Sequence, residues 1–254
     1  GNITVGDTGK TPFVEYLIRL LQPERKLAVV SRGYKRKSKG MQVSDENATA
    51  EILGDEPYQI FRKYPKTLVV ADSNRCRAID HIEANHANVD AVILDDAFQH
   101  RYVDAGLNIL LIDYNRPISK DCMLPAGRLR DLKSAQKRAN IIVVTKCPKD
   151  LKPIDFNNLT KEIKPLPYQD LFFATLDYDT PYHCLTGEKV ELTKDQSLVL
   201  FTGIAKSQSS KVQKILLERA AIIRKSIQTD KFYSDTGIQC GSTAYDAGTI
   251  YYKK

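Results

Sequence analysis

Near-continuous apolar, β-branched runs alternate with helix-like stretches from the start of the chain to about Lys146, and few folds accommodate that rhythm. A strand that is apolar at every position has to be covered on both faces, which is the situation of strands in parallel sheets. Parallel neighbours in turn need a crossover, usually a helix, so the pattern predicts βαβ units. The runs are Leu27–Val30, Thr67–Val70, Ala91–Leu94, Leu107–Ile112 and Ile141–Thr145. Pro12 is set to open a helix whose apolar face is Phe13, Tyr16, Leu17, Leu20 and Leu21. Asn74–Asn85 and Asp131–Arg138 read as further helices. From Cys147 the texture loosens, with Pro148, Pro153, Pro165 and Pro167 ahead of two more strand candidates, Leu171–Leu176 and Leu198–Thr202.

The 254 residues suffice for one large α/β domain, alone or with a smaller appendage. A formal charge of +7 suits an anionic partner such as phosphate or an acidic headgroup. The densest basic run, Lys35 to Lys39, reads as a solvated loop after a strand. Five scattered cysteines, none in a Cys-x-x-Cys pair, speak against a zinc site or a disulfide framework and for a reducing, cytosolic setting. No apolar run approaches the ~20 residues that cross a bilayer, and no signal peptide is visible, so the chain as written reads as soluble. Its opening, Gly1-Asn2-Ile3-Thr4-Val5, reads as the end of a strand, and further residues are expected before Gly1.

That strand end runs straight into Gly6-Asp7-Thr8-Gly9-Lys10-Thr11, followed by the first helix. At a strand-to-helix junction, glycines let backbone N–H groups curl around phosphates, a lysine reaches the β- and γ-phosphates, and a Thr hydroxyl binds Mg²⁺. Thr4 stands where the usual loop has its first glycine. Ala91–Leu94 ends in Asp95-Asp96, paired carboxylates of the kind that hold Mg²⁺ in P-loop enzymes, the bland alternative being a turn aspartate. Other polar clusters follow strands or begin helices: Ser31-Arg32-Gly33-Tyr34, Gly54-Asp55-Glu56-Pro57, Phe98-Gln99-His100 and Leu124 through Asp131. Ligands of open α/β sheets bind at the carboxyl ends of strands, where such clusters would meet. Asp55 and Glu56 could equally cap a helix.

Taken in order, Thr4 through Pro12, Ser31-Arg32-Gly33-Tyr34, Gly54 through Pro57, Asp95-Asp96-Ala97-Phe98-Gln99-His100, Leu124-Pro125-Ala126-Gly127 with Leu129-Arg130, and Phe201-Thr202-Gly203-Ile204-Ala205 resemble the motifs of the tetraacyldisaccharide 4′-kinase family. The resemblance covers roughly residues 1 to 206, and that family also lacks the first loop glycine. It implies a P-loop NTPase-like α/β fold: a parallel sheet with helices on both faces over 1–150, and a smaller C-terminal lobe over 151–254 that need not be complete and is atypical beyond about 206. The implied activity is ATP-dependent phosphorylation of a lipid A precursor on the cytosolic face of the bacterial inner membrane, by a monomer that takes a lipid disaccharide and no nucleic acid. Thr4, Val5, Gly6, Asp7, Thr8, Gly9, Lys10 and Thr11 would hold ATP. Thr11, Asp95, Asp96 and Asp131 would bind Mg²⁺. Asp55 would take the proton of the attacking hydroxyl, and Arg130 would stabilise the transferring phosphoryl group.

Several positions depart from the family. Asp131 stands where it has Glu, which shortens the proposed metal ligand, and Ala97 stands where it has Gly, which bears on the geometry of the turn. The family's apolar, membrane-associating N-terminal segment is not among these residues. Its Asp-His-His motif, whose histidine assists the catalytic aspartate, has no counterpart, because His81, His86, His100 and His183 all precede Ala205. Beyond Ala205 the sequence offers an amphipathic pattern over Lys211–Ser226 and then a polar, Gly- and Tyr-bearing stretch. A fragment with a non-native tail, binding nucleotide with impaired catalysis, is therefore the expectation set against a diverged active kinase. Guanine specificity is disfavoured by Pro148, which occupies the aspartate position of an Asn-Lys-x-Asp motif. A nucleic-acid or membrane binder resting on charge alone lacks interleaved aromatic and basic residues.

Overall fold

A computed structural model of the chain describes residues 1–6, 8–34, 36–178, 189 and 245–252. Asp7, Leu198–Thr202, Phe201 to Ala205 and Lys211–Ser226 lie outside the described residues. The chain divides into two compact units, one of Gly1–Leu176 with Ala247–Lys254, the other of Asp177–Asp246. The first unit thus runs past the boundary expected at 150, because the strand that follows pairs into its sheet.

The first four-stranded sheet has the order β2-β3-β1-β4, with β1 Leu27–Ser31, β2 Gln42–Val43, β3 Leu68–Ala71 and β4 Ala91–Leu94. β1 runs parallel to both β3 and β4, while β2 is a short antiparallel edge that the sequence did not announce. Alternation along β1 explains its unbroken apolar run. Leu27 and Val29 pack with Val14 and Ile18 of α1 (Lys10–Leu21) and Ile60 of α3 (Asp55–Lys63). Ala28 and Val30 face the other way, onto Ala78 and Ile82 of α4 (Arg75–Asn85). A one-turn helix, α2 (Ala50–Leu53), precedes α3.

The second sheet has the order β5-β6-β7-β8, with β5 Ile109–Asp113, β6 Ile141–Thr145, β7 Asp170–Tyr178 and β8 Tyr245–Tyr252. β5, β6 and β7 are parallel, in the register Leu111↔Val143↔Phe172. Their core of Leu110, Ile112, Ile142, Val144 and Phe173 is joined by Ile118 and Ala135 from two 3-10 turns and by Phe156 and Leu159 of α5 (Pro153–Ile163). Gly1 pairs with β5 through its amine to Ile109 O (2.9 Å) and its carbonyl from Leu111 N (2.8 Å). The chain then pairs with the hairpin that carries Arg130: Arg130 N donates to Ile3 O and Val5 N to Arg128 O.

Three expectations are corrected. The first helix begins at Lys10, placing Pro12 third, still within the first turn where a missing N–H costs nothing. Its buried residues are Val14, Glu15 and Ile18; of the expected face Leu21 packs partly buried against the same core while Leu20 is 57 % exposed, so the helix turns a neighbouring face inward. The expected helix at Asp131–Arg138 is a 3-10 helix over Lys133–Arg138 that buries Ala135 alone, a short piece of the kind 3-10 geometry favours.

Candidate active site

The phosphate loop sits between the Gly1–Val5 segment and α1. Gly6 (φ 107°) and Gly9 (φ 77°) adopt the left-handed backbone that side-chain-bearing residues avoid. Gly9 is also the N-cap of α1 and supplies no side-chain cap, so the first N–H groups of the helix stay available to an anion. Thr8 is buried and tied from two sides: Asn2 Nδ2 donates to its hydroxyl (2.8 Å), and Thr145 Oγ1, at the end of β6, donates to its carbonyl (2.9 Å). Asp7 is outside the described residues.

Lys10 and the aspartate pair after β4 converge. Lys10 Nζ lies 3.9 Å from Asp96 Oδ1. Arg130 grips the same carboxylate with both guanidinium nitrogens, Nη1 to Oδ2 at 3.1 Å and Nη2 to Oδ1, and also donates to the Asn2 side chain. Burial works against the charge of Asp96, but the Arg130 hydrogen bonds and the Lys10 charge hold its carboxyl below the usual range. Asp95 behaves oppositely. Burial first, then the charges of Glu56 and Asp96, push its carboxyl up to about 6. Asp96 takes the left-handed turn position itself (φ 45°), and Ala97 is not among the positive-φ residues, so that turn needs no glycine at 97.

Asp55 is the exposed first residue of α3. Its neighbour Glu56 accepts from the Thr11 hydroxyl at 3.3 Å, which sets the start of α3 against the start of α1. Along the same pair of helices, buried Glu15 accepts from Lys63 Nζ (2.5 Å) and Gln59 Nε2 (3.0 Å). Gly54, capping α3 at φ 97° and ψ 157°, lies so close to Gly33 that a Cβ on it would sit 3.1 Å from the Gly33 backbone. The Ser31–Tyr34 and Gly54–Pro57 clusters therefore do meet.

Asp131 is engaged differently. Its Oδ2 accepts from Arg138 (2.5 Å) and its Oδ1 from Leu132 N (2.9 Å), so a metal contact would require Arg138 to release it. Among the described residues no three His, Cys, Asp or Glu side chains form a metal cage. Mg²⁺ does not need one: it is typically held by one or two carboxylates together with substrate phosphates and water. The oxygen donors at hand, the Thr11 hydroxyl and the two aspartates after β4, have the chemistry of that hard cation.

Four contributors escaped sequence reading. Asn2 joins the loop, Arg130 and Gln99, whose Nε2 donates to its carbonyl (2.7 Å). Thr145 braces Thr8, and Glu56 was visible in its motif but given no task. Arg75, buried at the start of α4, donates to the carbonyls of Asp72 and Ser73 and feels the charges of Asp96 and Asp95. No local signal distinguishes Asn2 or Arg75.

A family model described as tetraacyldisaccharide-1-P 4′-kinase matches residues 1–227, past the last motif at Ala205. The tetraacyldisaccharide 4′-kinase of Phocaeicola vulgatus is 49% identical over 211 residues, covering 81% of this chain and 58% of that protein. The protein of the same name in Porphyromonas gingivalis is 46% identical over 237 residues, covering 92% and 64%. A crystal structure of LpxK from Aquifex aeolicus in complex with ATP superposes with a TM-score of 0.67 at 31% identity, covering 86% of this chain and 65% of that one. The chain thus spans less than two thirds of the length of these relatives.

Proposed function

The chain belongs to the tetraacyldisaccharide-1-P 4′-kinase family, and from that premise we propose that it serves ATP-dependent phosphorylation of the 4′-hydroxyl of a tetraacyldisaccharide 1-phosphate, at the cytosolic face of the inner membrane. The observation that carries this reading is the meeting of Lys10 and Arg130 on the single carboxylate of Asp96, beside a glycine-shaped loop. These cations neutralise Asp96, and a polyphosphate at the loop would offer them a richer anion. In that reading Thr4 to Thr11 would cradle ATP, and Thr11, Asp95, Asp96 and Asp131 would hold Mg²⁺, Asp131 only where its carboxylate is free of Arg138. Mg²⁺ supplies charge neutralisation on the phosphates.

The acceptor oxygen forms a bond to the γ-phosphorus while the bond to the β–γ bridging oxygen breaks and ADP leaves. Asp55 receives the hydroxyl proton. Arg130 then stabilises negative charge on the phosphoryl oxygens as they pass between partners. The test is transfer of radiolabelled γ-phosphate from ATP to the lipid disaccharide by this chain beside a full-length relative. Label appearing only as inorganic phosphate would sink the assignment of acceptor. The alternative expectation, nucleotide binding with little transfer, gives a distinct outcome in the same assay. ATP binding with slow transfer, against rapid transfer by the relative, would select it.

A further inference from the structure

The hairpin that ends in Arg130 presents an apolar tip to solvent. Met123 (42 %) and Leu124 (53 %) are exposed large hydrophobics, and Pro125 and Ala126 beside them are exposed as well. Val5 (47 %), whose N–H donates to Arg128 O, and Leu132 (61 %) extend the apolar surface at the base.

Two properties separate this tip from an ordinary solvated loop. First, much of its backbone is satisfied internally. Leu124 N donates to Leu129 O, Leu129 N to Cys122 O and Gly127 N to Met123 O, while Asp121 Oδ1 accepts from both Cys122 N and Arg128 N. Pro125 has no N–H to satisfy. Unpaired backbone groups are what bar most loops from an apolar medium, so this hairpin can leave water at low cost. The fold is also tight: a Cβ on Gly127 would fall 2.3 Å from Cys122 O. Second, the surrounding charge is positive. Arg116, Arg128 and Lys133 flank the hairpin, Lys120 is paired with Glu162 (3.4 Å), and the acids nearest the loop, Asp121 and Asp131, are engaged by loop N–H groups and by Arg138. An apolar tip within a basic collar complements an anionic lipid surface, where aliphatic groups enter the headgroup boundary and cations remain at the phosphates.

We propose that Met123-Leu124-Pro125-Ala126 inserts into the headgroup boundary of an anionic bilayer and presents Arg130 to the lipid surface; this rests on the lipid-kinase reading for its purpose but not for its test. Arg130 lies four residues from Ala126, so even fully extended the two are at most about 13 Å apart, and a headgroup standing out of the leaflet reaches the residues that handle the phosphoryl group.

The chain has no tryptophan, which makes Leu124→Trp a unique reporter. With vesicles of phosphatidylglycerol and phosphatidylethanolamine, its emission is expected to move to shorter wavelength and to be quenched by brominated acyl chains. Leu107→Trp, at an exposed position just before β5 and so at the opposite edge of the strands, is expected to stay in water. Met123→Asp with Leu124→Asp should weaken vesicle partitioning by about tenfold or more. Emission from Trp at 124 that anionic vesicles leave unchanged, or equal quenching at 107, overturns the proposal. Phosphate transfer to detergent-dispersed lipid disaccharide, run in parallel, separates the two readings: insertion without transfer leaves the docking intact and removes the kinase reading, and transfer without insertion does the reverse.

Discussion

Removing the positive partner of Glu15 should cost more than removing the whole pair. Glu15 is buried between α1 and α3, its carboxylate 2.5 Å from Lys63 Nζ, 3.0 Å from Gln59 Nε2 and 3.5 Å from the Tyr64 hydroxyl. Its charge is felt: burial, and then Glu15, push the Tyr64 hydroxyl up to about 12. Breaking a buried pair by deleting one member typically costs ~3–5 kcal/mol, because the other charge is left stranded. Lys63 keeps 28% of its side chain accessible and Gln59 remains as a donor, so for Lys63→Met we expect about 2–3 kcal/mol. In a chain of this size that lowers the melting temperature by about 4–12 °C. Glu15→Leu combined with Lys63→Met replaces the pair by apolar groups of similar length and should fall within about 1 kcal/mol of the parent. Urea unfolding of the parent, both single variants and the double variant, followed by circular dichroism, closes the cycle. If the double variant loses the sum of the two single losses, Glu15 and Lys63 are not coupled and the clamp between the helices is not electrostatic.

Three other outcomes can be checked on the same protein. Lys10→Ala should weaken Mg²⁺-ATP binding strongly in calorimetry, since backbone donors alone leave the β,γ charge uncompensated; an unchanged affinity removes Lys10 from the site. Asp55→Ala should bind ATP as the parent does while transfer falls ~10²–10⁴-fold, and a matching loss of ATP affinity would move Asp55 to the metal. Asp95→Asn should stabilise the nucleotide-free protein at pH 8. The folded pKa of about 6 exceeds the usual 3.8, so the contribution of Asp95 is full below pH 4 and lost as pH rises through 6; the gain of the variant, on the order of 2–3 kcal/mol at pH 8, should vanish near pH 4.

Strands were the most legible part of the fold, because a run apolar at every position has few alternatives: Ala91–Leu94 and Ile141–Thr145 appear with the bounds expected of them. Strand β5 starts two residues late, since Leu107 is apolar but exposed. Periodicity misreads α1 because a second face is also apolar there, and the buried one includes Glu15, made tolerable by Gln59, Lys63 and Tyr64 of a distant stretch, 44 to 49 positions away. Helix α5 is hidden in the sequence because Pro153, among Pro148, Pro165 and Pro167, reads as punctuation, although proline at a first helical position starts helices as readily as it ends them. Within the site, the loop and the aspartate pair announce themselves by local chemistry. The role of Asn2 does not: its partners Gln99 and Arg130 lie 97 and 128 residues along the chain, a proximity only the folded sheet creates.

The contact between Gly33 and Gly54 acts as a mechanical stop. Two bare stretches of backbone touch where any other pair of residues would hold them apart, and α3 begins at that point with Asp55. A methyl group added at 54 would have to enter a gap of 3.1 Å from a backbone position that already disfavours a side chain. The loop of Gly6–Thr11 is braced from elsewhere, by Asn2 and Thr145. The start of α3 is therefore held in two ways, by the bare approach of Gly33 and Gly54 and by the Thr11–Glu56 and Glu15–Lys63 contacts to α1, so a side chain at either glycine would shift Asp55 and Glu56 while the Asn2 and Thr145 braces of the loop stayed in place.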